Sequence, residues 1–225
     1  MTAPSVVLFD IDGTLLTTGG AGARAWAYAF DTLFGTPADI TKFSEVGMTD
    51  PIVARQTFRG ALGRDPDEAE FASLIMGYVM RLPDEVESSS GYRVFDGVVE
   101  LLDTLASDGT LLGLVSGNVE GAAHIKIARG GLARYFAFGG YGTDSPDRGR
   151  LTQAAIDHAS MLLGHPLDPS MVVVVGDTPR DVEAAKAVGA ISVTVATGEY
   201  SIDQLEAAGA DHALPSLTAT FPTLR

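Results

Sequence analysis

A short apolar run that ends in two aspartates constrains the fold of this chain more than any other feature. Val6 to Phe9 are apolar, and Asp10, Ile11, Asp12 and Gly13 follow directly. An apolar run this short, bounded by turn residues, predicts a buried strand of a parallel sheet. Open α/β sheets bind their ligands at the carboxyl ends of such strands.

The two aspartates allow two interpretations. Asp-Gly is a common turn pair, so Asp10 and Asp12 can belong to an Asx turn without any chemistry. Alternatively, the two carboxylates bind a cation, because like charges at this spacing repel each other. Mg²⁺ suits carboxylate, carbonyl and water ligands, and a carboxylate oxygen left free could attack an electrophile.

Four further apolar runs predict strands, and helical patterns separate them. The predicted strands are Leu111–Val115, Tyr135–Phe138, Met171–Val175 and Ile191–Val195, with a short last strand at 211–215 and a helix or tail up to Arg225. Helices are expected from about 98 with Asp96 as N-cap, over 151–163, and over 182–188 with Gly189 as C-cap. Alternating strands and helices predict an α/β fold, a Rossmann-like parallel sheet core.

The stretch from Thr17 to about Ser90 breaks the alternation, because its apolar residues have helical spacing and show no strand pattern. We expect residues 1–16 and 91–225 to form the α/β core and residues 17–90 an inserted α-helical cap. Gly19, Gly20 and Gly22 are the expected hinge, and 87–91 the return linker. A cap beside the first catalytic turn could exclude water; the alternative is a purely structural helical subdomain.

Composition excludes several classes of function. The 225 residues carry a net charge of −14, which disfavours binding to nucleic acid or to an anionic membrane. No cysteine is present, so disulfide and thiol chemistry are excluded. The four histidines show no metal-ligand spacing. No apolar run approaches the roughly 18 residues of a membrane span, and no signal-type segment is visible, so the expected location is cytoplasmic.

A second acidic motif follows the valine-rich strand. Thr178 can cap a helix, Pro179 suits its first position and Asp181 its third, so a capping box explains Asp181 without any chemistry. Asp177 lies at the end of the strand and precedes this helix. A metal ligand is therefore its expected role.

A third motif could bind an anion. Ser116 ends a predicted strand before a helix, where a hydroxyl and backbone N–H groups form an anion site, although a plain N-cap serine is the alternative. Gly117 would let the backbone approach the ligand. The expected basic partner is Arg148 first, Arg150 second and Lys126 third, although each arginine alone is also compatible with a solvated surface position.

Together these motifs resemble those of the haloacid dehalogenase superfamily. In chain order they are Asp10-Ile11-Asp12-Gly13-Thr14, Ser116, a basic residue near position 148, and Gly176-Asp177 followed by Asp181. The resemblance covers nearly the whole chain. The helical insert resembles the cap of the phosphoglycolate phosphatase-like branch.

The resemblance implies a role for each residue. Asp10 would be the nucleophile that forms an aspartyl-phosphate, and Asp12 would protonate the leaving alcohol and then activate water. Asp10, the carbonyl of Asp12 and Asp177 would hold Mg²⁺, with Asp181 beside them. The phosphoryl oxygens would be held by Ser116, Gly117 and Arg148. The implied function is a Mg²⁺-dependent phosphatase for a small phosphorylated metabolite, with phosphoglycolate as one candidate.

The third-motif arginines and the acid at position 12 both bear on the implied activity. The family commonly has a lysine, often followed by proline, in its third motif, and this chain offers Arg148 or Arg150 there; arginine binds phosphate bidentately. The family's dehalogenases as a rule lack an acid at the position of Asp12, so its presence favours phosphoryl transfer over carbon–halogen cleavage. The runner-up is a phosphomutase of the β-phosphoglucomutase type, and a binding module without turnover is a further alternative.

Substrate selection is expected in the cap. Gly47, Met48, Thr49 and Asp50 are candidates for lining the entrance, and Arg55 is a candidate for meeting a substrate anion. The alternative for Arg55 is an ordinary surface position on a helix. The chain is expected to be a monomer or a homodimer, and an exposed apolar patch on the cap would favour the dimer.

Overall fold

The structure, a computed structural model, describes residues 4–222 and consists of an α/β core and a group of three helices. In chain order the strands are β1 Val6–Phe9, β2 Leu16–Thr17, β3 Arg93–Val94, β4 Leu111–Ser116, β5 Phe138–Tyr141, β6 Val172–Gly176, β7 Ile191–Val195 and β8 His212–Leu214. The α-helices are α1 Ala21–Phe34, α2 Asp50–Leu62, α3 Glu68–Ser88, α4 Val98–Ser107, α5 Glu120–Arg129, α6 Arg148–Leu163, α7 Pro179–Val188 and α8 Ile202–Ala207. Short 3₁₀ turns cover Ile40–Lys42, Leu132–Tyr135 and Pro169–Met171.

Six parallel strands form the core sheet in the order β5-β4-β1-β6-β7-β8. All four residues of β1 are fully buried, because helices cover both faces of the sheet. Phe9 lies in register with Leu114 of β4 and Val175 of β6. The residues that follow these three strands therefore meet at one edge of the sheet. The expected fold class is confirmed.

The three helices between β2 and β3 form their own apolar cluster. Trp26 and Phe30 of α1 pack with Phe58 of α2 and with Leu74 and Tyr78 of α3. The stretch from 17 to 90 is helical as expected, except that Thr17 belongs to β2, which pairs with β3 in a two-stranded antiparallel sheet. We refer to α1, α2, α3 and their connecting loops as the cap.

The two chain connections to the cap run side by side. Gly19 has φ +60°, and a Cβ there would lie 2.5 Å from the backbone of Gly91. Only glycine permits this close approach. The return linker is shorter than expected, because α3 continues to Ser88. The division into core 1–16 and 91–225 and cap 17–90 stays a proposal.

Strand β5 corrects one sequence prediction. A strand is expected at Tyr135–Phe138 with Gly139 and Gly140 ending it, but β5 covers Phe138–Tyr141 and contains both glycines. A Cβ on Gly140 would lie 1.9 Å from the carbonyl oxygen of Leu151. Gly140 therefore allows α6 to pack directly on the strand backbone, although the sequence pattern predicts a turn at these two glycines.

Two helix starts also differ from expectation. The N-cap of α4 is Gly97, at φ +83°, and not Asp96. A Cβ at Gly97 would lie 2.6 Å from the backbone of Leu217, so this position requires glycine. Helix α6 begins at Arg148, three residues before the expected start at 151, since the carboxylate of Asp147 caps the N–H of Arg150 at 2.9 Å. This earlier start places Arg148 in the first turn of a helix that packs on the sheet.

The C-terminal part follows expectation in outline. Strand β8 is confirmed at the edge of the sheet, and residues 215–222 contain no helix, while 223–225 lie outside the described residues. Gly189 caps α7 in the left-handed conformation, as predicted. Within 4–222, no helix has the length and apolar character needed to cross a membrane.

Candidate active site

Asp10 and Arg148 meet at the carboxyl edge of the sheet. The N–H of Asp10 donates to the carbonyl of Val175 at 2.8 Å, which holds the residue at the end of β1. The guanidinium of Arg148 lies 3.2 Å from Oδ2 of Asp10 and also contacts the carboxylate of Asp181. Arg150 is exposed. Of the two arginines considered from the sequence, the structure brings Arg148 to the aspartates.

Three buried carboxylates converge beside this ion pair. Carboxylate oxygens of Asp10, Asp177 and Asp181 all lie within 4.8 Å of one another. Burial raises the pKa of Asp177 to about 8, with Asp181 and Asp10 adding to the effect, and burial raises the pKa of Asp10 to about 6 against the opposing charge of Arg148. Burial and the neighbouring carboxylates therefore disfavour ionisation of Asp177 and Asp10, and one guanidinium does not fully offset this effect. A divalent cation such as Mg²⁺, which prefers oxygen ligands, would stabilise the ionised carboxylates.

Glycines let the backbone close around Asp177. A Cβ on Gly13, whose φ is +83°, would lie 2.2 Å from Oδ2 of Asp177, and one on Gly198 would lie 1.8 Å from the same atom. Thr14 donates its hydroxyl to Oδ1 at 3.1 Å. The Asp-Gly pair after β1 therefore lies in a turn that packs against Asp177.

Asp181 likewise has two roles. Its Oδ2 accepts from the N–H of Thr178 at 3.0 Å and from the Thr178 hydroxyl at 2.7 Å, which completes the capping box of α7. Its Oδ1 faces Arg148. Both carboxylate oxygens are thus engaged, and the cap of α7 holds the carboxylate at the cluster.

Asp12 lies in a separate polar group. Nζ of Lys126 is 2.6 Å from Oδ2 of Asp12, and the Asn118 amide donates to the same oxygen at 2.8 Å. Lys126 also donates to Oδ1 of Asn118 at 2.6 Å. Burial alone would lower the pKa of Lys126, but Asp12 and Asp50 raise it above its ordinary value, so the lysine is charged. The side chain of Asp12 is therefore not part of the carboxylate cluster.

Sequence reasoning ranks Lys126 third and does not single out Asn118. A signal for Lys126 is nevertheless present, because the buried positions of α5 are Ala122, Ala123, Lys126 and Ile127, the spacing of one helix face. A lysine at a buried position needs a charged partner. Its partner, Asp12, lies in the turn after β1, more than a hundred residues away in the chain.

The loop after β4 contacts the cap directly. Ser116 is fully buried, and its Oγ accepts from the Asn118 amide at 2.8 Å. A Cβ on Gly117 would lie 2.9 Å from the carbonyl oxygen of Met48, so glycine allows the cap loop to approach. Asp50 donates its N–H to the Gly117 carbonyl at 2.7 Å and accepts from the N–H of Val119 at 2.9 Å.

A cavity of about 240 Å³ lies between core and cap. Its core side is lined by Asp10, Asp12, Ser116, Gly117, Asn118, Lys126 and Arg148, and its cap side includes Gly47, Met48 and Asp50. Thr49 is buried beside it and donates to the Pro146 carbonyl at 3.3 Å. Arg55 does not line the cavity, because it pairs with Glu68 at 3.3 Å and lies over the ring of Phe71. The expectation that Arg55 meets a substrate anion is not supported by this position.

Comparison with known proteins agrees with this geometry. The sequence pattern of the haloacid dehalogenase-like hydrolase family matches residues 4–189. The chain is 31% identical over 218 residues to the phosphoglycolate phosphatase of Rhodospirillum rubrum, covering 92% of this chain and 85% of that protein. It is 26% identical over 235 residues to the probable phosphatase IndB of Dickeya dadantii, covering 96% of each.

The fold is shared with solved structures. The crystal structure of a predicted phosphoglycolate phosphatase from Haemophilus somnus superposes with a TM-score of 0.74 at 18% identity, covering 96% of each chain. At that identity the likeness concerns the fold alone. The sequence match over 4–189 and the 31% identical relative decide the family. The chain belongs to the haloacid dehalogenase-like hydrolases, as a hydrolase of phosphatase type.

Proposed function

We propose that this chain is a Mg²⁺-dependent phosphatase that hydrolyses a small phosphomonoester through an aspartyl-phosphate on Asp10. The observation that carries the proposal is the contact of Arg148 with Asp10 beside the buried carboxylates of Asp177 and Asp181. A nucleophile and a cation for phosphate would thus line the cavity, with a set of metal ligands beside them.

Asp10 is suited to be the nucleophile. It is 5% exposed and lines the cavity, and its backbone is held by the Val175 carbonyl. An oxygen of its carboxylate would bond to phosphorus while the bond from phosphorus to the leaving oxygen breaks. Arg148 would offset the repulsion between this carboxylate and the phosphate.

Asp12 is suited to transfer the protons. Lys126 and Asn118 both contact Oδ2, while Oδ1 accepts no hydrogen bond from residues 4–222. When protonated at Oδ1, Asp12 would give this proton to the leaving oxygen, which departs as the alcohol. It would then take one from the water that attacks phosphorus, which releases phosphate and restores Asp10.

Ser116, Gly117 and Arg148 would bind the phosphoryl oxygens. Oγ of Ser116 accepts from Asn118, so its own hydrogen is free to donate. Gly117 leaves space beside the Arg148 guanidinium, since a Cβ there would lie 3.2 Å from that group. All three line the cavity together with Asp10.

Asp10, Asp177 and the backbone carbonyl of Asp12 would hold the metal, with Asp181 beside them. When bound, Mg²⁺ would offset negative charge on the carboxylates and the phosphate. Asp177 is the carboxylate with most capacity left, since only the Thr14 hydroxyl donates to it among the described residues. Asp181 is already engaged by Thr178 and Arg148. We therefore assign Asp181 to positioning Arg148 beside the metal.

The substrate would be small. A cavity of about 240 Å³ leaves room for a phosphoryl group and a few further atoms. Phosphoglycolate is the first candidate, because the Rhodospirillum rubrum relative is a phosphoglycolate phosphatase. A sugar phosphate is the substrate class of the phosphomutase alternative.

Phosphate release from a panel of phosphomonoesters, with Mg²⁺ and with EDTA, tests the proposal. We expect release that requires Mg²⁺ and that falls at least about 10³-fold in Asp10→Asn, since no covalent intermediate can then form. Asp157→Asn, an exposed site on α6, is the matched control and should retain wild-type rates. Release that persists in Asp10→Asn would exclude the aspartyl-phosphate. An isomerised sugar phosphate without free phosphate would indicate a phosphomutase.

A further inference from the structure

The cap side of the cavity contains a helix end that no protein side chain caps. Gly20, the N-cap of α1, has φ +81° and no side-chain hydrogen bond to the first turn. Gly20, Gly22 and Ala23 line the cavity. Within residues 4–222, the N–H groups of Gly22 and Ala23 have no acceptor. The first N–H groups of a helix carry partial positive charge, so this end favours an acceptor.

Tyr78 provides a second, independent feature on the same wall. Its side chain is 1% exposed and lines the cavity, and its ring stacks on Trp26 with centroids 4.1 Å apart and planes at 7°. Within residues 4–222 the hydroxyl makes no hydrogen bond, and the side chain borders the cavity. A buried tyrosine hydroxyl normally has a partner. This one faces a space that a ligand can fill.

The missing side chain of Gly22 marks that space. A Cβ on Gly22 would lie 3.9 Å from the Tyr78 hydroxyl and 3.9 Å from Nζ of Lys126. Lys126 uses two of its three protons on Asp12 and Asn118, so one remains to donate. The ammonium, the phenol and the start of α1 therefore converge on one small volume.

We propose that Tyr78, Lys126 and the first turn of α1 form a subsite for a carboxylate at the end of the leaving group. The inference rests on the proposed phosphatase function and names the class of substrate, a phosphorylated hydroxy acid of two or three carbons. The groups that converge are hydrogen-bond donors, which matches an oxyanion. Lys126 also contacts Asp12, the proposed acid for the leaving oxygen, so the carboxylate lies only a few bonds from that oxygen.

Each of the two acids near the subsite already has one carboxylate oxygen engaged. Asp12 pairs with Lys126, and Oδ2 of Asp50 accepts from the N–H of Val119. Burial, with Asp50 and Asp12 nearby, raises the pKa of Tyr78 above its ordinary value, so the phenol keeps its proton and donates. The donors at this wall therefore remain available to a ligand.

The test compares three esters that differ in one group. These are phosphoglycolate, ethyl phosphate and 2-hydroxyethyl phosphate, which carry a carboxylate, a methyl and a hydroxymethyl group at the same position. We expect wild-type kcat/KM to be at least about tenfold higher for phosphoglycolate than for either neutral ester, as charge-assisted hydrogen bonds imply.

Two variants address the subsite without touching the aspartates. Tyr78→Phe removes only the hydroxyl, and Gly22→Ala places a methyl group at ordinary contact distance within the subsite. Each should reduce the ratio of kcat/KM for phosphoglycolate over ethyl phosphate by about tenfold. Tyr28→Phe, at a half-exposed tyrosine of α1, is the matched control and should leave the ratio unchanged. Circular dichroism checks that each variant folds.

Each contrary result has a distinct meaning. Equal rates for the three esters, or a ratio unchanged in both variants, would overturn the carboxylate subsite while leaving the phosphatase in place. Preference for 2-hydroxyethyl phosphate would assign the wall to a polyol and overturn the proposed class. If no ester is hydrolysed, the proposed function fails, and calorimetric titration of the wild type then decides the subsite: tighter binding of phosphoglycolate than of ethyl phosphate supports it, and equal binding overturns it.

Discussion

Each of the two aspartates after β1 has its own basic partner. Arg148 contacts Asp10, and Lys126 contacts Asp12. Both basic groups are more than nine-tenths buried, and both come from helices that pack against the carboxyl edge of the sheet. In the proposed mechanism, Arg148 would bind the phosphoryl group and Lys126 would hold the proton-transferring carboxylate of Asp12.

Arg148→Lys tests the first pairing. Lysine keeps the charge but cannot contact Asp10, Asp181 and phosphate with a planar fork, so we expect kcat/KM to fall by about 10–100-fold. Arg150→Lys, at an exposed position of the same helix turn, should stay within about twofold. Steady-state assays with the best ester decide the matter. A larger loss in Arg150→Lys than in Arg148→Lys would reverse the assignment.

Lys126→Met tests the second pairing. Without the ammonium, the carboxylate of Asp12 loses one of its two contacts, so we expect kcat with ethyl phosphate to fall about tenfold or more while KM changes little. Lys126→Arg should recover part of the loss, whereas exposed Lys42→Met should show none. A change confined to KM would show that Lys126 binds substrate without positioning Asp12.

Sequence reasoning locates the aspartates because strand ends are visible in the sequence. Asp10, Asp12 and Asp177 each follow a short apolar run, and parallel strands bring such positions to one edge. Lys126 and Tyr78 lie within helices, so their contacts depend on how α5 and α3 are rotated against the core. That rotation follows from packing between distant segments, which periodicity does not describe.

At the scale of secondary structure elements, glycines decide how closely the layers approach. Gly139 and Gly140 lie inside β5, and Gly97 begins α4, whereas sequence reasoning treats the first pair as a turn and places the cap at Asp96. The presence of these elements is predictable from apolar spacing. Their boundaries are not predictable in the same way, because glycine occurs both in turns and at close packing contacts, and the sequence does not distinguish the two.

Gly140→Ala measures this packing. The added Cβ would lie 1.9 Å from the Leu151 carbonyl oxygen, so we expect a loss of about 3 kcal/mol in the free energy of unfolding, at the upper end for overpacking. Gly109→Ala is the control, because nothing lies within 4 Å and only its φ of +80° is strained, at about 1 kcal/mol. Urea denaturation compares the two. Equal losses would show that β5 and α6 adjust to the methyl group.

At the scale of the whole molecule, the core and cap each have an apolar cluster, and the cavity lies between them. Contacts from Asp50 and Met48 to the loop after β4 join the cap to the core. Electrostatic repulsion, in contrast, opposes folding at the site. Buried aspartates lie close together there, and the chain as a whole already carries a net charge of −14. A bound cation would relieve this cost.

Thermal unfolding in EDTA and in Mg²⁺ tests that cost. The pKa values of Asp177 and Asp10 are raised to about 8 and about 6, above the ordinary 3.8. At pH values between 3.8 and these raised values, the folded protein therefore binds more protons than the unfolded chain. Stability in EDTA should therefore fall as pH rises from about 5 to 8. Mg²⁺ should raise the Tm more at pH 8 than at pH 6, because protons compete with the metal. An equal rise in Tm with Mg²⁺ at pH 6 and pH 8, or no rise in the wild type, would contradict the metal site.

The sequence by itself determined the order of strands and helices, the helical insertion after the first strand, and the aspartates at strand ends, because all of these depend on local spacing and on where apolar runs stop. Tertiary structure alone decided that Arg148 rather than Arg150 reaches Asp10, that Lys126 pairs with Asp12, and that Tyr78 faces the cavity. These contacts join residues far apart in the chain, and they exist only once helices from the core and the cap have packed against one sheet edge.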